Sequence, residues 1–100
     1  MTLPSVLRVL SHEFEVLAAP GISGLDAVAC VSHDACRVMV DTDRPESCQR
    51  EGLLHEVLEE LDYRLELKLK HRQITALSEG LADTLLRNPE VAALFAGDED

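Results

Sequence analysis

The hydrophobic pattern of this chain changes its period at Pro45. Before Pro45, apolar and polar side chains alternate in short runs that contain the β-branched residues typical of strands. After Pro45, apolar side chains recur three and four residues apart, which is the spacing of amphipathic helices. A chain with strands first and helices second favours an α+β domain. We therefore expect a small antiparallel sheet of about three to four strands, followed by two main helices and a short C-terminal helix.

Three segments before Pro45 are candidates for strands. The range 5–18 predicts a hairpin or one long bent strand, and the ranges 27–33 and 36–41 predict two further strands. Proline and glycine in the range 20–24 predict a loop between the first and second of these segments.

Two longer amphipathic segments follow, and they predict the helices. The first covers about 47–67 and the second about 72–87, and Pro89 can open a short terminal helix. We expect one domain over 1–96 and a flexible acidic tail over 97–100. The apolar stripe of the second helix consists of Ile74, Leu77, Leu81 and Leu85.

The charge balance of the chain is strongly acidic, with 9 Lys and Arg against 19 Asp and Glu and a formal charge of −10. This charge argues against direct nucleic-acid binding and against an anionic membrane surface, but it suits a basic protein partner. No signal-peptide pattern and no membrane-spanning apolar run is present. Three cysteines without a CxxC pair indicate free thiols in a reducing compartment, so we expect a cytoplasmic protein.

The first predicted helix carries a metal-site pattern that begins at His55. In the HExxH signature of zinc peptidases, two ligands four residues apart lie on one helix face, and the Glu between them is a general base. Here His55 takes the first ligand position, Glu56 the base position, and Glu59 stands where the second His would be. Zinc accepts carboxylate oxygen, so this substitution is chemically tolerable. The pattern alone is also that of a solvated polar helix face.

A catalytic zinc site commonly has three protein ligands, so the pattern requires one more. His71 is the first choice, because a helix–turn–helix can fold the start of the second helix back over the first. Asp62 is the second choice, since it lies three residues after Glu59 on the same face, and it could instead orient a ligand His. Tyr63 could stabilise a developing oxyanion, or it could simply pack.

The stretch from about Cys30 to Pro89 resembles small phage and prophage proteins with a zincin-like helix. Their pattern is two Leu, His-Glu, two apolar residues, His or Glu, and Asp or Asn before an aromatic, followed by a segment that begins near a His and ends in Asn-Pro. The matching residues are Leu53-Leu54-His55-Glu56, Glu59, Asp62-Tyr63, His71, Ile74, Leu77, Gly80-Leu81 and Asn88-Pro89.

The resemblance implies a minimal zincin-like core of the metallopeptidase type. Its Zn²⁺ ligands would be His55, Glu59 and His71. Glu56 would be the general base on a metal-bound water. A phage or prophage origin would place the protein in the cytoplasm of a bacterial host.

Two functions follow as hypotheses. The first is a zinc-dependent hydrolase that acts on a peptide or protein substrate. The alternative is a non-catalytic acidic interaction protein that uses a zincin-like scaffold to bind a basic surface of a host protein. The sequence leaves the oligomeric state open.

Overall fold

The computed structural model describes residues 1–22 and 27–97 of the chain. These residues form four strands followed by three helices, so the predicted α+β fold is confirmed. The strands are β1 (Val6–Val9), β2 (His12–Ala19), β3 (Ala29–Ser32) and β4 (Arg37–Asp41). The helices are α1 (Glu46–Leu65), α2 (His71–Arg87) and α3 (Pro89–Leu94). The predicted loop residues Ser23 and Gly24 and the predicted tail residues 98–100 lie outside the described part.

The range 5–18 forms a hairpin and not one long bent strand, the other alternative that the sequence left open. β1 and β2 pair antiparallel, with Val9 opposite His12 at the turn. Leu10 in this turn has a φ of +55°, the left-handed conformation that closes a tight connection.

The order of the sheet is β1-β2-β4-β3, and one of its pairings departs from the prediction. The outer pairs are antiparallel as expected, but the central strands β2 and β4 run parallel, with Val16 opposite Val38. The wholly antiparallel sheet is therefore corrected to a mixed sheet. Burial accounts for the central position of these two strands, which carry Phe14 and Val40, 1% and 0% exposed. Their parallel direction follows from the path of the chain, because β4 returns antiparallel from β3. The chain passes through β3 at the outer edge, which supplies the length that a parallel crossover needs.

Helix α1 packs against this sheet. Leu53, Val57 and Leu61 of α1 contact the buried core. Gly52 allows a close approach, because a Cβ at this position would lie 3.0 Å from Cγ1 of Val28, next to the start of β3. The turn of α1 that follows Gly52 therefore stands beside β3.

A tight connection reverses the chain between α1 and α2. Glu66 and Lys68 both take left-handed conformations, with φ of +52° and +59°. Oδ1 of Asp62 accepts a hydrogen bond from the backbone N–H of Leu69 at 2.8 Å. The chain thus reverses its direction within a few residues, and His71 is the first residue of α2.

The apolar stripe predicted on α2 is only partly covered. Ile74 is 1% exposed, whereas Leu77, Leu81 and Leu85 are 46%, 42% and 37% exposed. Within the described residues, no helix combines the length and the apolar character needed to cross a membrane.

Candidate metal centre

Three potential ligands meet where α1 and α2 adjoin. His55 and Glu59 lie one turn apart on α1, and His71 opens α2. One ligand atom from each of these residues lies within 4.8 Å of the other two. Ligand atoms this close together could surround one ion, which zinc does with nitrogen and oxygen at ~2.0–2.2 Å.

The two imidazoles contact each other edge to face. The ring centroids of His55 and His71 are 5.1 Å apart, and the rings are inclined by 61°. His55 and Glu59 are half-buried, while His71 is exposed. The group is therefore open to solvent on the α2 side and backed by protein on the α1 side.

The electrostatic environment favours the form of His55 that binds metal. Burial lowers the pKa of His55, and the neighbouring His71 lowers it further. The carboxylates of Glu59 and Glu51 act in the opposite direction but do not reverse the shift. Metal ligation requires neutral imidazole, so the lowered pKa reduces the competition from protons.

Glu56 lies beside the ligands and is buried, with 7% of its surface exposed. Burial and the negative charge of Glu59 raise the pKa of Glu56 to about 8. A buried carboxyl group with so high a pKa is typical of functional sites, although structural groups show such shifts too.

The ligands and Glu56 line one cavity of about 520 Å³ between α1 and the β3 side of the sheet. Val28, Cys30 and Val31 contribute the wall formed by β3 and the residue before it. The cavity therefore joins a polar floor from α1 to a strand edge.

The other two residues predicted at the site lie elsewhere. Asp62 is not among the clustered ligand atoms, and its carboxylate instead holds the connection between α1 and α2. Tyr63 stacks on the ring of His33, with centroids 4.2 Å apart, and the guanidinium of Arg64 lies 5.0 Å from the Tyr63 centroid. Tyr63 does not line the cavity.

Sequence reasoning missed the ionic cluster around Glu60. This residue is 1% exposed, and its carboxylate accepts hydrogen bonds from Nδ1 of His33 at 2.6 Å and from Nε of Arg64. The guanidinium of Arg64 also donates to the backbone carbonyl of His33 at 3.0 Å. The i, i+4 spacing of Glu60 and Arg64 was a usable signal. The contact with His33 was not, since it joins residues 27 apart.

The cysteines remain free thiols. Cys30 and Cys48 both line the cavity, and Cys36 lies in the turn before β4. Burial raises the pKa of the Cys30 thiol, and the nearby Glu56 carboxylate raises it further. Cys30 is therefore held as a neutral thiol beside the ligand group.

Comparisons of the chain with protein-family models, with curated proteins and with solved structures found no match. The resemblance to phage zincin-like proteins stays a prediction that rests on the residues alone.

Proposed function

We propose that this protein binds one divalent metal ion, most suitably zinc, through His55, Glu59 and His71. The observation that carries the proposal is the convergence of one ligand atom from each residue within 4.8 Å, although the third comes from a different helix. Two imidazoles and one carboxylate form a donor set that zinc accepts, and three protein ligands are typical of catalytic zinc sites.

The position of Glu56 supports a hydrolytic role for the site. Bound zinc supplies a Lewis acid that polarises a carbonyl group and lowers the pKa of water. Glu56 lies next to a ligand and lines the same cavity, where its carboxylate can accept a proton as general base. A cation held by the neighbouring His55 and Glu59 would lower the raised pKa of Glu56 and favour the ionised form that this role requires.

The neighbouring strand supports a peptide as substrate. Among the described residues, β3 pairs only with β4 and so forms an edge of the sheet. Its residues Ala29, Cys30 and Val31 line the cavity. An extended peptide could pair with such an edge and lie across the cavity floor.

The metal proposal is tested by elemental analysis of protein purified without added metal and without a histidine tag. We expect near-stoichiometric zinc in the wild-type protein and its loss in His55→Ala and in His71→Ala. His12→Ala, which removes an imidazole from β2, is the matched control and keeps the metal. Absence of zinc from the wild-type protein after zinc loading, or its retention in both site variants, contradicts the proposal.

The hydrolytic role is tested with Glu56→Gln. We expect this variant to bind zinc as the wild-type protein does but to cleave no member of a peptide library analysed by mass spectrometry. Cleavage by Glu56→Gln at the wild-type rate would remove Glu56 as the base while leaving the metal site intact.

The formal charge of −10 favours a second candidate, a non-catalytic protein that binds a basic partner surface. In that case the interaction weakens as salt screens the charges. Equal binding of a basic partner by the zinc-free and the zinc-loaded protein, without cleavage of any peptide, would favour this candidate over the hydrolase.

A further inference from the structure

The side chain of His33 lines the same cavity as the candidate ligands and Glu56. His33 directly follows β3, so it approaches the cavity from the side of the sheet. Its side chain is 25% exposed, which keeps part of the imidazole accessible. Among the described residues, the ligand cluster does not include His33, so this imidazole is available for a role other than ligation.

Contacts with α1 fix the orientation of the His33 ring. Nδ1 lies 2.6 Å from Oε1 of Glu60, and the ring stacks on that of Tyr63 with the two planes inclined by 5°. The backbone carbonyl of His33 accepts a hydrogen bond from Arg64. A ring held at one edge, at one face and through its backbone loses little further freedom when a substrate binds, which is what a catalytic group requires.

Glu60 determines which ring nitrogen of His33 faces the substrate. The other carboxylate oxygen of Glu60 accepts a hydrogen bond from Arg64, whose guanidinium is always charged, so Glu60 is ionised and can only accept. Nδ1 of His33 is therefore the donor to Glu60, and Nε2 is left to exchange a proton. Nε2 has no hydrogen-bond partner in the part of the chain that the structure describes. The buried charge of Glu60 also stabilises the ring when Nε2 carries a proton as well.

The spacing of Glu56 and Glu60 suits a base and an acid that act on one peptide bond. They are four residues apart on α1, so the carboxylate that holds the His33 ring lies about one helical turn, ~5.4 Å, from Glu56. Consecutive Cα atoms of a peptide are ~3.8 Å apart, so a single peptide group fits between Glu56 and His33.

We propose that His33 is the proton donor to the leaving amine, a role that rests on the proposed hydrolytic function of the site. Glu56 takes a proton from the water that attacks the carbonyl carbon. When the peptide C–N bond breaks, the amine nitrogen takes the proton from Nε2 of His33 and leaves as a neutral amine. The proton on Glu56 then passes through solvent to Nε2, and both groups return to their initial states.

His33→Asn tests this role in the zinc-loaded protein, with the library peptide that the wild-type protein cleaves fastest. The asparagine amide nitrogen lies as far along the side chain as Nδ1, so it can keep the hydrogen bond to Glu60 while Nε2 is lost. We expect unchanged zinc content and circular dichroism, a KM within about 3-fold of the wild-type value and a kcat at least about 100-fold lower. His12→Asn, which removes an imidazole that does not line the cavity, is the control and should leave kcat unchanged.

A second substrate separates proton donation from a structural role. In the 4-nitrophenyl ester of the same acyl group, the leaving group departs as a stable anion and needs no proton. His33→Asn should therefore cleave this ester at a rate within about 3-fold of the wild-type rate, whereas a distorted site would slow both substrates. His33→Gln can donate a hydrogen bond to the cavity but transfers no proton, so it should show the same selective loss and serves if His33→Asn does not fold.

Peptide cleavage within about 10-fold of the wild-type rate by either folded, zinc-loaded variant overturns the proposal. An equal loss on the peptide and the ester overturns it too. Both results leave the zinc site and the role of Glu56 intact. Absence of peptide cleavage by the wild-type protein instead contradicts the hydrolytic function, and the role of His33 with it.

Discussion

Two buried glutamates lie one turn apart on α1 and have opposite pKa shifts. Burial and the charge of Glu59 raise the pKa of Glu56 to about 8. Burial acts on Glu60 in the same direction, but hydrogen bonds from Arg64 and His33 outweigh it and lower the pKa of Glu60. Glu56 therefore favours the protonated form in the metal-free fold, whereas Glu60 favours the ionised form. The two residues have opposite effects on how stability depends on pH.

In the metal-free protein, Glu56→Gln should increase the free energy of unfolding at pH 7 by roughly 1–3 kcal/mol. Between pH 4.5 and about 8 the folded state keeps a proton on Glu56 that the unfolded state has released. The free energy of unfolding therefore falls as the pH rises through that window. Glutamine does not titrate, so the variant lacks this decrease. Urea unfolding with a chelator at pH 5 and pH 7 measures the difference.

The matched control is Glu13→Gln, which changes an exposed carboxylate paired with Arg8 at 3.2 Å. Its effect should stay within about 0.5 kcal/mol. A Glu56→Gln variant with the same pH dependence as the wild-type protein would contradict the burial argument.

Glu60→Gln should destabilise the protein by about 1–3 kcal/mol at pH 7, because His33 and Arg64 lose the carboxylate that pairs with them. The lowered pKa of Glu60 gives stability that is present above the unfolded value near 4.5 and disappears as the pH falls through the folded value. The difference between variant and wild type should therefore shrink toward pH 3. A difference that grows on acidification would show that Glu60 is not held as an ionised partner.

At the scale of elements, the short connection between α1 and α2 determines where His71 lies. Asp62 anchors this connection through the N–H of Leu69, and Glu66 and Lys68 adopt left-handed backbone. Left-handed non-glycine residues cost free energy, so the hydrogen bond from Leu69 offsets part of that cost. Asp62 thus stabilises the connection that positions His71 at the start of α2.

Asp62→Asn tests this role against that of a ligand. The amide oxygen can still accept the hydrogen bond from Leu69, so we expect full zinc stoichiometry and little change in stability. Asp62→Ala removes the acceptor and should cost about 1 kcal/mol in unfolding free energy. Loss of zinc in Asp62→Asn would mean that Asp62 coordinates the metal after all.

The sequence predicted the elements better than their pairing. Pro45 and Asn88-Pro89 interrupt the chain where α1 and α2 begin and end, so both helices were located within two residues. The expected antiparallel pairing was wrong for β2 and β4, because local alternation marks strands but does not specify their neighbours. The order in which the chain places its strands in the sheet decides that choice.

The sequence likewise predicted some residues of the candidate site but not others. Helical spacing placed His55, Glu56 and Glu59 together on α1. The short connection between α1 and α2 predicted that His71 lies near them. The hydrogen bond between His33 and Glu60 forms because the turn after β3 contacts α1. No local sequence pattern predicts a contact between residues so far apart in the chain.

At the scale of the whole molecule, the fold brings residues from α1 and α2 to one cavity beside an edge strand. The same two helices leave an apolar face at the other end of α2, where Leu77, Leu81 and Leu85 lie open. His71 at the start of α2 lines the cavity, whereas these three leucines lie further along the same helix.

We propose that two imidazoles and a carboxylate bind one ion in a cavity that also holds the thiols Cys30 and Cys48. X-ray absorption at the zinc edge of the zinc-loaded protein tests this set of ligands. We predict nitrogen and oxygen donors at ~2.0–2.2 Å, with the outer scattering of two imidazoles and no sulfur. A sulfur donor at ~2.3 Å, or the signature of fewer than two imidazoles, would contradict the site formed by His55, Glu59 and His71.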